Sequence, residues 1–505
     1  MKKVILSKNL LRNKITNLKR KGKKIVLVHG VFDLVHLGHI YYFQEAKSNG
    51  DILVVSITAD KFVNKGLNKP LFQEKERLKF LSQLSLIDFV YCNDAKDASG
   101  IIKLIKPNFY VKGPDYKKKE GDEAGNLGTE LKAIKKVKGK FLTTSNVQYS
   151  STNIINEKLS YFKSDDLDWL KKIKKDSTKM NYLFEFKKVL EKIKKQNVLI
   201  IGEIIFDEYN YVDPLGKPSK ENILSVNFTN KETFFGGCLP VVKNLSNIYK
   251  NLTLLSLYNK KSNFDKVSKF LRQDRVKLNL IRKKDYIDIF KRRYLNKKNF
   301  SKIFEVYNFK NKDFFDDRLF NYLKKNLKSF DKVIVCDFGH GLINEKITKL
   351  LSSKSKVLCA NIQTNSGNRG FNLFDKYKKL DFLCLDEPEL RLGVRDKENK
   401  VEDIIKNLSV KKYKNAMITR GVDGLNFKKD NKTTYVPALT TKPLDTIGAG
   451  DAAYGFASSF INNTNSSKLI ALVAAIAGAL KVQIVGHSNF IKIEDISRSL
   501  RSLLK

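Results

Sequence analysis

The 505-residue sequence predicts an α/β protein built from two domains. In two stretches of the chain, short apolar segments alternate with amphipathic helical segments, which is the rhythm of parallel α/β domains. The first stretch opens on a buried-type strand at 25–28, and the second opens on a similar strand near 197. Apolar residues make up 42% of the chain and aromatic residues 11%, so both domains can bury a core.

The predicted elements of the first domain follow one another closely. Hydrophobic periodicity assigns them as strand 25–28, helix 39–48, strand DILVVSIT, helix 75–84, strand DFVYC, helix 99–105 and strand NFYVKG. The pattern stops by about residue 160. We therefore predict a first domain over residues 1–160.

The rest of the chain is predicted to form a linker and a second domain. Residues 161–195 are rich in lysine and have a helical period, which favours a charged helical linker with a solvated face. The alternation returns over 196–505, with strands at NVLIIGE, KVIVCDF, KVLCANI, DFLCLDE and NAMITRG. The second domain is therefore predicted to span 196–505.

The strongly basic composition makes nucleic acid a partner to consider. Lysine and arginine total 96 against 53 acidic residues, a formal charge of +43. The lysines are spread over the whole length without a basic arm, and a positive field also favours small anionic substrates. A nucleic-acid-binding role stays open as an alternative, but we expect no specific nucleic-acid partner.

Apolar runs and cysteines bear on the cellular location. The longest uncharged apolar run, 469–480, has 12 residues and is too short to cross a bilayer. The N-terminus loses its apolar character before a signal-peptide core forms. The five cysteines are scattered, without CxxC or metal-ligand spacing. These observations predict a cytoplasmic protein with no membrane partner and no built-in metal site.

Three of the five histidines lie in the segment HGVFDLVHLGH, directly after the first strand. A glycine turn at the end of a parallel strand lets backbone groups and a helix N-terminus face a ligand. Histidines on that first helical turn can donate hydrogen bonds to a triphosphate and to the charge that develops at its α-phosphorus. A zinc site is disfavoured because no acidic or cysteine partner stands at helical spacing. A purely structural role in the turn remains the alternative.

This segment resembles the HxGH signature of cytidylyltransferase-like nucleotidyltransferases, preceded by the family's GxFD. The resemblance implies a Rossmann-like domain in which a phosphate monoester attacks the α-phosphate of a nucleoside triphosphate. It implies catalytic roles for His36, His39 and Lys65. It implies nucleotide contacts for a larger set: Gly30, Val31, Phe32, Asp33, Gly38, Arg77, Ser151 and Thr152.

Two later segments of the first domain are similar to heptose-1-phosphate adenylyltransferases. These are YVKGPDY (110–116) and SSTNII (150–155), and the resemblance implies that Lys112 and Asp115 contact the substrate. Pro114 stands where those enzymes have glycine. ATP is therefore the expected nucleotide, with CTP as the alternative.

A second candidate site lies in DTIGAGDAAYGFAS (445–458). Successive backbone N–H groups at Gly448, Ala449 and Gly450 can form an anion hole, which the helix dipole strengthens. Asp451 can accept the proton of an attacking hydroxyl while these N–H groups hold a phosphoryl group. A plain glycine turn followed by a helix-start aspartate is the structural alternative.

This stretch resembles the signature of ribokinase-like (PfkB) sugar kinases, and the resemblance extends over about 197–490 through TRGVDG, FFGGCLPVVKNL and GEIIFDEY. It implies a ribokinase-like α/β domain with a small β lid, for which 208–235 and 285–310 are candidates, and pairing into a homodimer. Catalysis is assigned to Asp451. The implied ATP-side residues are Thr419, Arg420, Gly421 and Glu389, and the implied substrate residues are Asp207, Gly236 and Gly237. Arg369, in a polar run that departs from the family pattern, can bind a substrate phosphate bidentately; an ordinary solvated loop is the alternative.

The second domain also departs from the kinase pattern. Glu203 replaces the usual aspartate, Pro240 stands where an asparagine commonly contacts the sugar, and Asp386 stands near an expected asparagine. The transfer machinery is therefore predicted to be intact, whereas the sugar pocket is predicted to be rebuilt.

Together the two domains suggest consecutive steps, because such a kinase makes the phosphate monoester that such a nucleotidyltransferase consumes. The combination resembles bifunctional heptose-7-phosphate kinase and heptose-1-phosphate adenylyltransferase, with the domain order reversed. It implies ATP and Mg²⁺ as cofactors, NTP and sugar phosphates as substrates, and a nucleotide-activated sugar such as ADP-heptose as product. A nucleotidyltransferase with a non-catalytic kinase-like domain remains the alternative.

Overall fold

The computed structural model describes residues 3–5, 7–63, 70–117, 126–145, 164–310, 313–440 and 443–504. The chain divides into two compact units. One contains residues 1–174 and 501–505, and the other contains residues 175–500. Each unit is described below by itself.

A six-stranded parallel sheet forms the centre of the first unit. Its strands are β1 (Val4–Ile5), β2 (Ile25–Gly30), β3 (Ile52–Thr58), β4 (Phe89–Asn93), β5 (Phe109–Lys112) and β6 (Lys140–Thr143). Their order across the sheet is β1-β4-β3-β2-β5-β6, and every neighbouring pair runs parallel.

Helices cover both faces of this sheet. They are α1 (Lys8–Arg20), α2 (Leu37–Lys47), α3 (Glu74–Gln83), α4 (Ser99–Ile105) and α5 (Leu127–Lys136), with short 3-10 turns at Asp60–Phe62 and Pro114–Lys117. Alternate residues of β2 enter two different cores: Ile25 and Leu27 pack in one, Val26 and Val28 in the other. A strand buried on both faces reads as a continuous apolar run, which is why IVLV is recognisable in the sequence.

Strand β2 lies at the point where the strand order reverses, with β3 on one side and β5 on the other. Connections leave in opposite directions at such a point, so a crevice opens at the carboxyl ends of the two strands. The turn after Gly30 and the turn after Lys112 both start at this crevice.

Helices α6 (Ser164–Met180) and α7 (Tyr182–Ile193) occupy the segment that was predicted to be a helical linker. Helix α6 crosses the division between the two units. The domain boundaries at 160 and 195 remain predictions.

A nine-stranded sheet forms the centre of the second unit. Its strands are β7 (Asn197–Gly202), β10 (Asn251–Tyr258), β11 (Val276–Arg282), β14 (Lys332–Asp337), β15 (Leu358–Ile362), β16 (Phe382–Asp386), β17 (Asn415–Thr419), β18 (Leu425–Lys429) and β19 (Lys432–Val436). Their order is β11-β10-β7-β14-β15-β16-β17-β18-β19, and all neighbours are parallel except that β18 runs antiparallel to both β17 and β19. The order reverses between β7 and β14, so a second crevice opens there.

The helices of the second unit flank this sheet. They are α8 (Leu239–Leu245), α9 (Lys261–Phe270), α10 (Asp317–Asn326), α11 (Glu345–Lys354), α12 (Glu387–Val394), α13 (Val401–Asn407), α14 (Ala449–Phe460), α15 (Ser467–Lys481) and α16 (Ile493–Leu504), with 3-10 turns at Leu327–Ser329, Phe374–Lys376 and Gly421–Asp423. The last four residues of α16 belong to the first unit. Helices α14 and α15 are buried along most of their length and pack against each other.

A separate four-stranded sheet lies in the same unit. Strands β8 (Ile204–Gly216), β9 (Ser225–Gly237), β12 (Ile289–Asn296) and β13 (Lys302–Asn308) pair in the order β13-β12-β8-β9. These strands fall in the two segments that were predicted to form a small β lid. We call them the small sheet. The α/β fold class predicted from the sequence is confirmed.

No helix in the described ranges is both long enough and apolar enough for a membrane crossing.

Candidate active sites

The two histidines of the HxGH motif lie at the N-terminus of α2. His36 is the N-cap residue, with extended backbone, and its N–H donates a hydrogen bond to Nδ1 of His39 at 3.3 Å. The ring centroids are 4.1 Å apart. Because Nδ1 of His39 accepts a hydrogen bond, the neutral ring carries its proton on Nε2, where it can donate. Burial lowers the pKa of His36. The helix dipole favours an anion at this position.

Gly30, Val31, Phe32 and Asp33 form the turn that leads to these histidines. Phe32 has a φ of 50° and packs edge-on against His39, with ring centroids 5.6 Å apart. The carboxylate of Asp33 accepts the backbone N–H groups of Leu71 at 2.8 Å and Phe72 at 2.9 Å. Asp33 therefore fixes the segment that follows residues 64–69. Gly38 lies in the first turn of α2.

Arg77 on α3 is buried and bound to protein groups on several sides. Its guanidinium donates to the carbonyl oxygens of Val31, Thr58 and Phe72 and pairs with Asp60 at 2.6 Å. It joins the turn after β2 to the end of β3. Its implied contact with a nucleotide stays a prediction.

Lys112, at the end of β5, forms a buried ion pair with Glu130 of α5, with Nζ 3.2 Å from Oε2. Glu130 also accepts the hydroxyl of Tyr110 at 2.9 Å and the N–H of Ala98 at 3.0 Å. Sequence reasoning missed Glu130. The available signal was an acidic residue on the apolar face of a helix, three residues before the buried Ala133.

His29 differs from the two other histidines of its segment. It is buried at the end of β2, with Nδ1 3.1 Å from Oγ of Ser56 and Nε2 3.3 Å from Oγ1 of Thr58. Burial, with a smaller effect of Lys112, lowers its pKa to about 3. His29 is thus a neutral, hydrogen-bonded part of the sheet.

Four further residues were predicted to belong to this site. Lys65, Ser151 and Thr152 lie outside the described residues, and Asp115 lies in the 3-10 turn Pro114–Lys117.

In the second unit, Asp451 lies half-buried in the first turn of α14. Gln363 donates a hydrogen bond from Nε2 to Oδ1 of Asp451 at 2.6 Å. Burial raises the pKa of Asp451 to about 6. Gly448 caps the helix with a φ of 76°, and a Cβ there would lie 2.6 Å from the ring of His487. The turn therefore requires glycine. Ala449 and Gly450, at the N-terminus of α14, directly precede Asp451 and its carboxylate.

The small sheet brings charged residues toward Asp451. Lys291 of β12 is the register partner of Asp207 on β8. Arg293 donates to Oδ1 of Asp207 at 3.2 and 3.3 Å and pairs with Glu305 on β13. Burial lowers the pKa of Lys291, whereas the carboxylates of Asp207 and Asp451 raise it. Sequence reasoning missed Lys291 and Arg293.

The glycines of the predicted substrate motif permit close approach at the base of the small sheet. A Cβ at Gly236 would overlap Oδ2 of Asp207. Gly237 has a φ of 65°, and a Cβ there would overlap the carbonyl oxygen of Glu203. The structure therefore brings Asp207, Gly236 and Gly237 together, as the motif implies.

Glu203 and Asp337 are paired buried carboxylates at the ends of β7 and β14. Glu203 accepts the N–H groups of Phe338 and His340 at 3.2 Å each. Burial, followed by the charge of Asp337, raises the pKa of Glu203 to about 7. Asp337 pairs with Lys376 at 2.6 Å. Glu203 thus fixes the turn after β14.

The predicted ATP-side residues lie at the ends of β16 and β17. Glu389 and Asp386 form a reciprocal capping box at the start of α12. Burial and the neighbouring Asp386 raise the pKa of Glu389 to about 8. Arg420 pairs with Glu387 at 3.1 Å and Glu402 at 2.8 Å.

Thr419 ends β17, and Gly421 has a φ of 57° in the turn that follows. Arg369 is exposed in the loop after β15.

Two family models match this chain. The model described as "Cytidylyltransferase-like" matches residues 27–157, and the model described as "pfkB family carbohydrate kinase" matches residues 195–493. The two resemblances inferred from the HxGH and GAGD segments are confirmed.

Among curated proteins, the chain is similar to bifunctional protein HldE of Aliarcobacter butzleri. The two are 40% identical over 138 residues, which cover 27% of this chain and 28% of that protein. HldE of Campylobacter fetus subsp. fetus is 39% identical over 160 residues, 31% of each chain. The chain thus matches less than a third of the length of these relatives.

Among solved structures, the chain is similar to phosphofructokinase-2 from Escherichia coli in complex with potassium. The TM-score is 0.51 at 14% identity, covering 61% of this chain and all of that one. This likeness concerns the fold.

Proposed function

Because the chain belongs to the pfkB family of carbohydrate kinases, we propose that its second unit transfers the γ-phosphoryl group of ATP to a hydroxyl of a sugar or sugar phosphate. Asp451 supports this most directly. It lies half-buried in the first turn of a helix, and its pKa of about 6 leaves it mostly ionised at pH 7 while still basic enough to accept a proton. The hydroxyl oxygen bonds to the γ-phosphorus as the bond to ADP breaks, and the hydroxyl proton passes to Asp451.

The remaining groups at this crevice position the two substrates. The N-terminus of α14 offers backbone N–H groups to the transferring phosphoryl group. Lys291 supplies positive charge from the small sheet, Arg293 holds Asp207 in place, and Asp207 accepts hydrogen bonds from hydroxyl groups of the sugar. Gln363 holds the carboxylate of Asp451 in one orientation.

We include Mg²⁺ as the ion that accompanies ATP. Among the described residues, no cluster of three His, Cys, Asp or Glu side chains could hold a metal by itself. An ion carried on nucleotide phosphates needs only one or two carboxylates. Asp386 and Glu389 suit it, because burial raises the pKa of both and an adjacent cation would favour their charged forms. When bound, the ion neutralises charge on the β- and γ-phosphates.

For the first unit we propose nucleotidyl transfer. An oxygen of a sugar 1-phosphate bonds to the α-phosphorus of the nucleotide as the bond to pyrophosphate breaks, without a covalent enzyme intermediate. His36 and His39 stabilise the charge at the α-phosphate from the N-terminus of α2. Lys65 is proposed beside the triphosphate. ATP is the proposed nucleotide, with CTP as the alternative.

Together the proposed reactions form a two-step route to a nucleotide-activated sugar. The curated relatives in the comparison bear the name "bifunctional protein". The proposed product is ADP-heptose or a close relative, made in the cytoplasm, where ATP and sugar phosphates occur.

We also propose that the chain forms a homodimer through the small sheet. Residues alternate along β13: Glu305 and Tyr307 are half-buried, whereas Phe304 and Val306 are more than 40% exposed. Tyr294 stacks on Phe304 with ring centroids 4.4 Å apart. This exposed apolar strip would be covered by a second copy. Light scattering should give twice the chain mass, and Phe304→Glu should give the monomer; a monomeric wild type would contradict the proposal.

The decisive experiment is mass spectrometry of the products made by the full chain with Mg²⁺, ATP or CTP, and a panel of acceptors. The panel contains heptose 7-phosphate, fructose 6-phosphate, ribose and several sugar 1-phosphates. A nucleotide-sugar formed from an acceptor without a C1 phosphate supports both activities. A product formed only from 1-phosphates supports the first unit and counts against kinase activity. No product from any acceptor contradicts the proposed function.

A further inference from the structure

His340 is a buried polar side chain whose ring nitrogens are not used within the described part of the protein. It is 1% exposed, and neither Nδ1 nor Nε2 has a hydrogen-bond partner among the described residues. Buried polar atoms are nearly always hydrogen-bonded in folded proteins, and leaving one without a partner is unfavourable. An exception of this kind calls for an explanation.

The backbone around His340 is, by contrast, held on several sides. Its N–H donates to Glu203, and side chains of Asn365 and Asn368 donate to the carbonyl oxygen of Phe338. Gly339 has a φ of 68°, and a Cβ there would overlap Asn368. The fold therefore fixes the position of His340 through its backbone and leaves the ring to interact with something else.

The ring lies close to the proposed transfer site. His340 follows β14, next to β7, where the strand order of the large sheet reverses. Lys291 on the small sheet is near enough to His340 to lower its pKa and near enough to Asp451 to interact with that carboxylate. Phe309 packs against the imidazole with ring centroids 5.0 Å apart. An aromatic neighbour thus orients the ring, and Lys291 is a charged neighbour of both His340 and the proposed base.

An imidazole near a cation and removed from water stays neutral, as the lowered pKa of His340, about 3, indicates. A neutral imidazole has one donor and one acceptor nitrogen, and a hydroxyl group offers both in return. A sugar contains several such groups, whereas a bare phosphate only accepts. The chemistry of the ring therefore matches the hydroxylated part of the acceptor.

We propose that His340 binds a hydroxyl group of the acceptor and determines which sugars the kinase site accepts. This inference rests on the proposed kinase function. It assigns a specificity-determining role to a residue other than the proposed base and anion hole.

The test measures acceptor binding by isothermal titration calorimetry on the full chain without turnover. The probes are heptose 7-phosphate, fructose 6-phosphate and ribose, each compared with its monodeoxy analogues, and ATP is titrated separately. The variants are His340→Ala and His340→Gln, since glutamine keeps one donor and one acceptor. Tyr249→Phe is the matched control, because it removes a buried hydroxyl before β10, at the opposite end of the large sheet.

We expect His340→Ala to weaken binding of the preferred acceptor about 10- to 100-fold, with ATP binding changed less than about twofold. His340→Gln should recover most of that loss, and Tyr249→Phe should bind like the wild type. One deoxy analogue should bind wild type and His340→Ala equally, because the contact is already missing.

Two results would overturn the inference. One is equal acceptor binding, or no binding, by the wild type and His340→Ala; the other is a loss of ATP affinity as large as the loss for the acceptor. The proposed function is judged separately: acceptor binding that depends on His340 without any phosphoryl transfer would contradict kinase activity and leave the binding role in place.

Discussion

The two candidate sites occupy the same place in their sheets and differ in how their charged residues are balanced. In the first unit, the charges of Arg77 and Lys112 are met by Asp60 and Glu130. In the second unit, Asp451 has a raised pKa and Lys291 a lowered one. Charged side chains that form ion pairs within the protein stabilise the structure. Charged side chains without a full counter-charge remain available to bind a ligand. Among the described residues, the first site therefore depends on its imidazoles and backbone, and the second on Asp451 and Lys291.

Asp451→Asn tests the role of charged side chains in the second unit and should have the largest effect. We expect phosphoryl transfer to fall about 10³-fold, because the base can no longer accept a proton, while nucleotidyl transfer from a supplied sugar 1-phosphate is unchanged. Rates of both reactions on the same preparation provide the measurement. Asp430→Asn, at an exposed turn with a φ of 54°, serves as the control and should leave both rates unchanged. If Asp451→Asn keeps its kinase activity, a different residue must act as the general base.

His39→Ala tests the imidazoles of the first site. Nucleotidyl transfer should fall about 10²- to 10³-fold, since a donor aimed at the developing charge is lost. Steady-state assays with a sugar 1-phosphate should show the loss mainly in kcat. Phosphoryl transfer in the same variant should match the wild type. A rise in KM with kcat unchanged would instead show that His39 contributes to binding the substrate in its ground state.

Glu130→Gln tests whether the ion pair between Lys112 and Glu130 stabilises the first unit. Removing one partner of a buried ion pair costs about 3 kcal/mol, so amides of β5 and α5 should exchange hydrogen about 10²-fold faster. Native-state hydrogen exchange followed by mass spectrometry gives this local stability. Lys132→Gln removes an exposed charge from the same helix and should leave exchange unchanged. Unchanged protection in Glu130→Gln would show that the pair contributes little.

The pH dependence of the kinase reaction gives the smallest effect. Burial raises the pKa of Asp451 to about 6, and the ionised form is the base. Activity should therefore be full above this pKa and fall about tenfold per pH unit as the pH drops below it. The profile of kcat/KM should show this inflection, and the residual rate of Asp451→Asn should lack it. An inflection near pH 4 would contradict the effect of burial.

Sequence reasoning predicted the parts of the sites that are local in the chain. The HxGH histidines are three residues apart on one helix turn, and Asp451 directly follows its glycines. The start of α2 was predicted two residues late, because no preferred capping residue marks it: His36 is the N-cap.

Contacts between distant elements could not be predicted in the same way. Lys291 meets Asp207 only because β12 and β8 pair in one register, and Gln363 meets Asp451 across 88 positions of sequence. For Arg77, the sequence predicted the position but not the contacts. Its motif position was recognisable, but its hydrogen bonds to three backbone carbonyls depend on how the turns around it fold.

The ion-pair row on the small sheet has a thermodynamic consequence. Arg293 joins Asp207 on β8 to Glu305 on β13, so three strands are tied together as one piece. Asp451 on α14 and His340 after β14 lie on elements that flank or follow the large sheet. A sugar bound by residues of both sheets fixes the distance between the small sheet and the large sheet. A nucleotide bound between the same two surfaces also requires a certain distance between them. Where the two requirements coincide, each ligand raises the affinity for the other by one common factor.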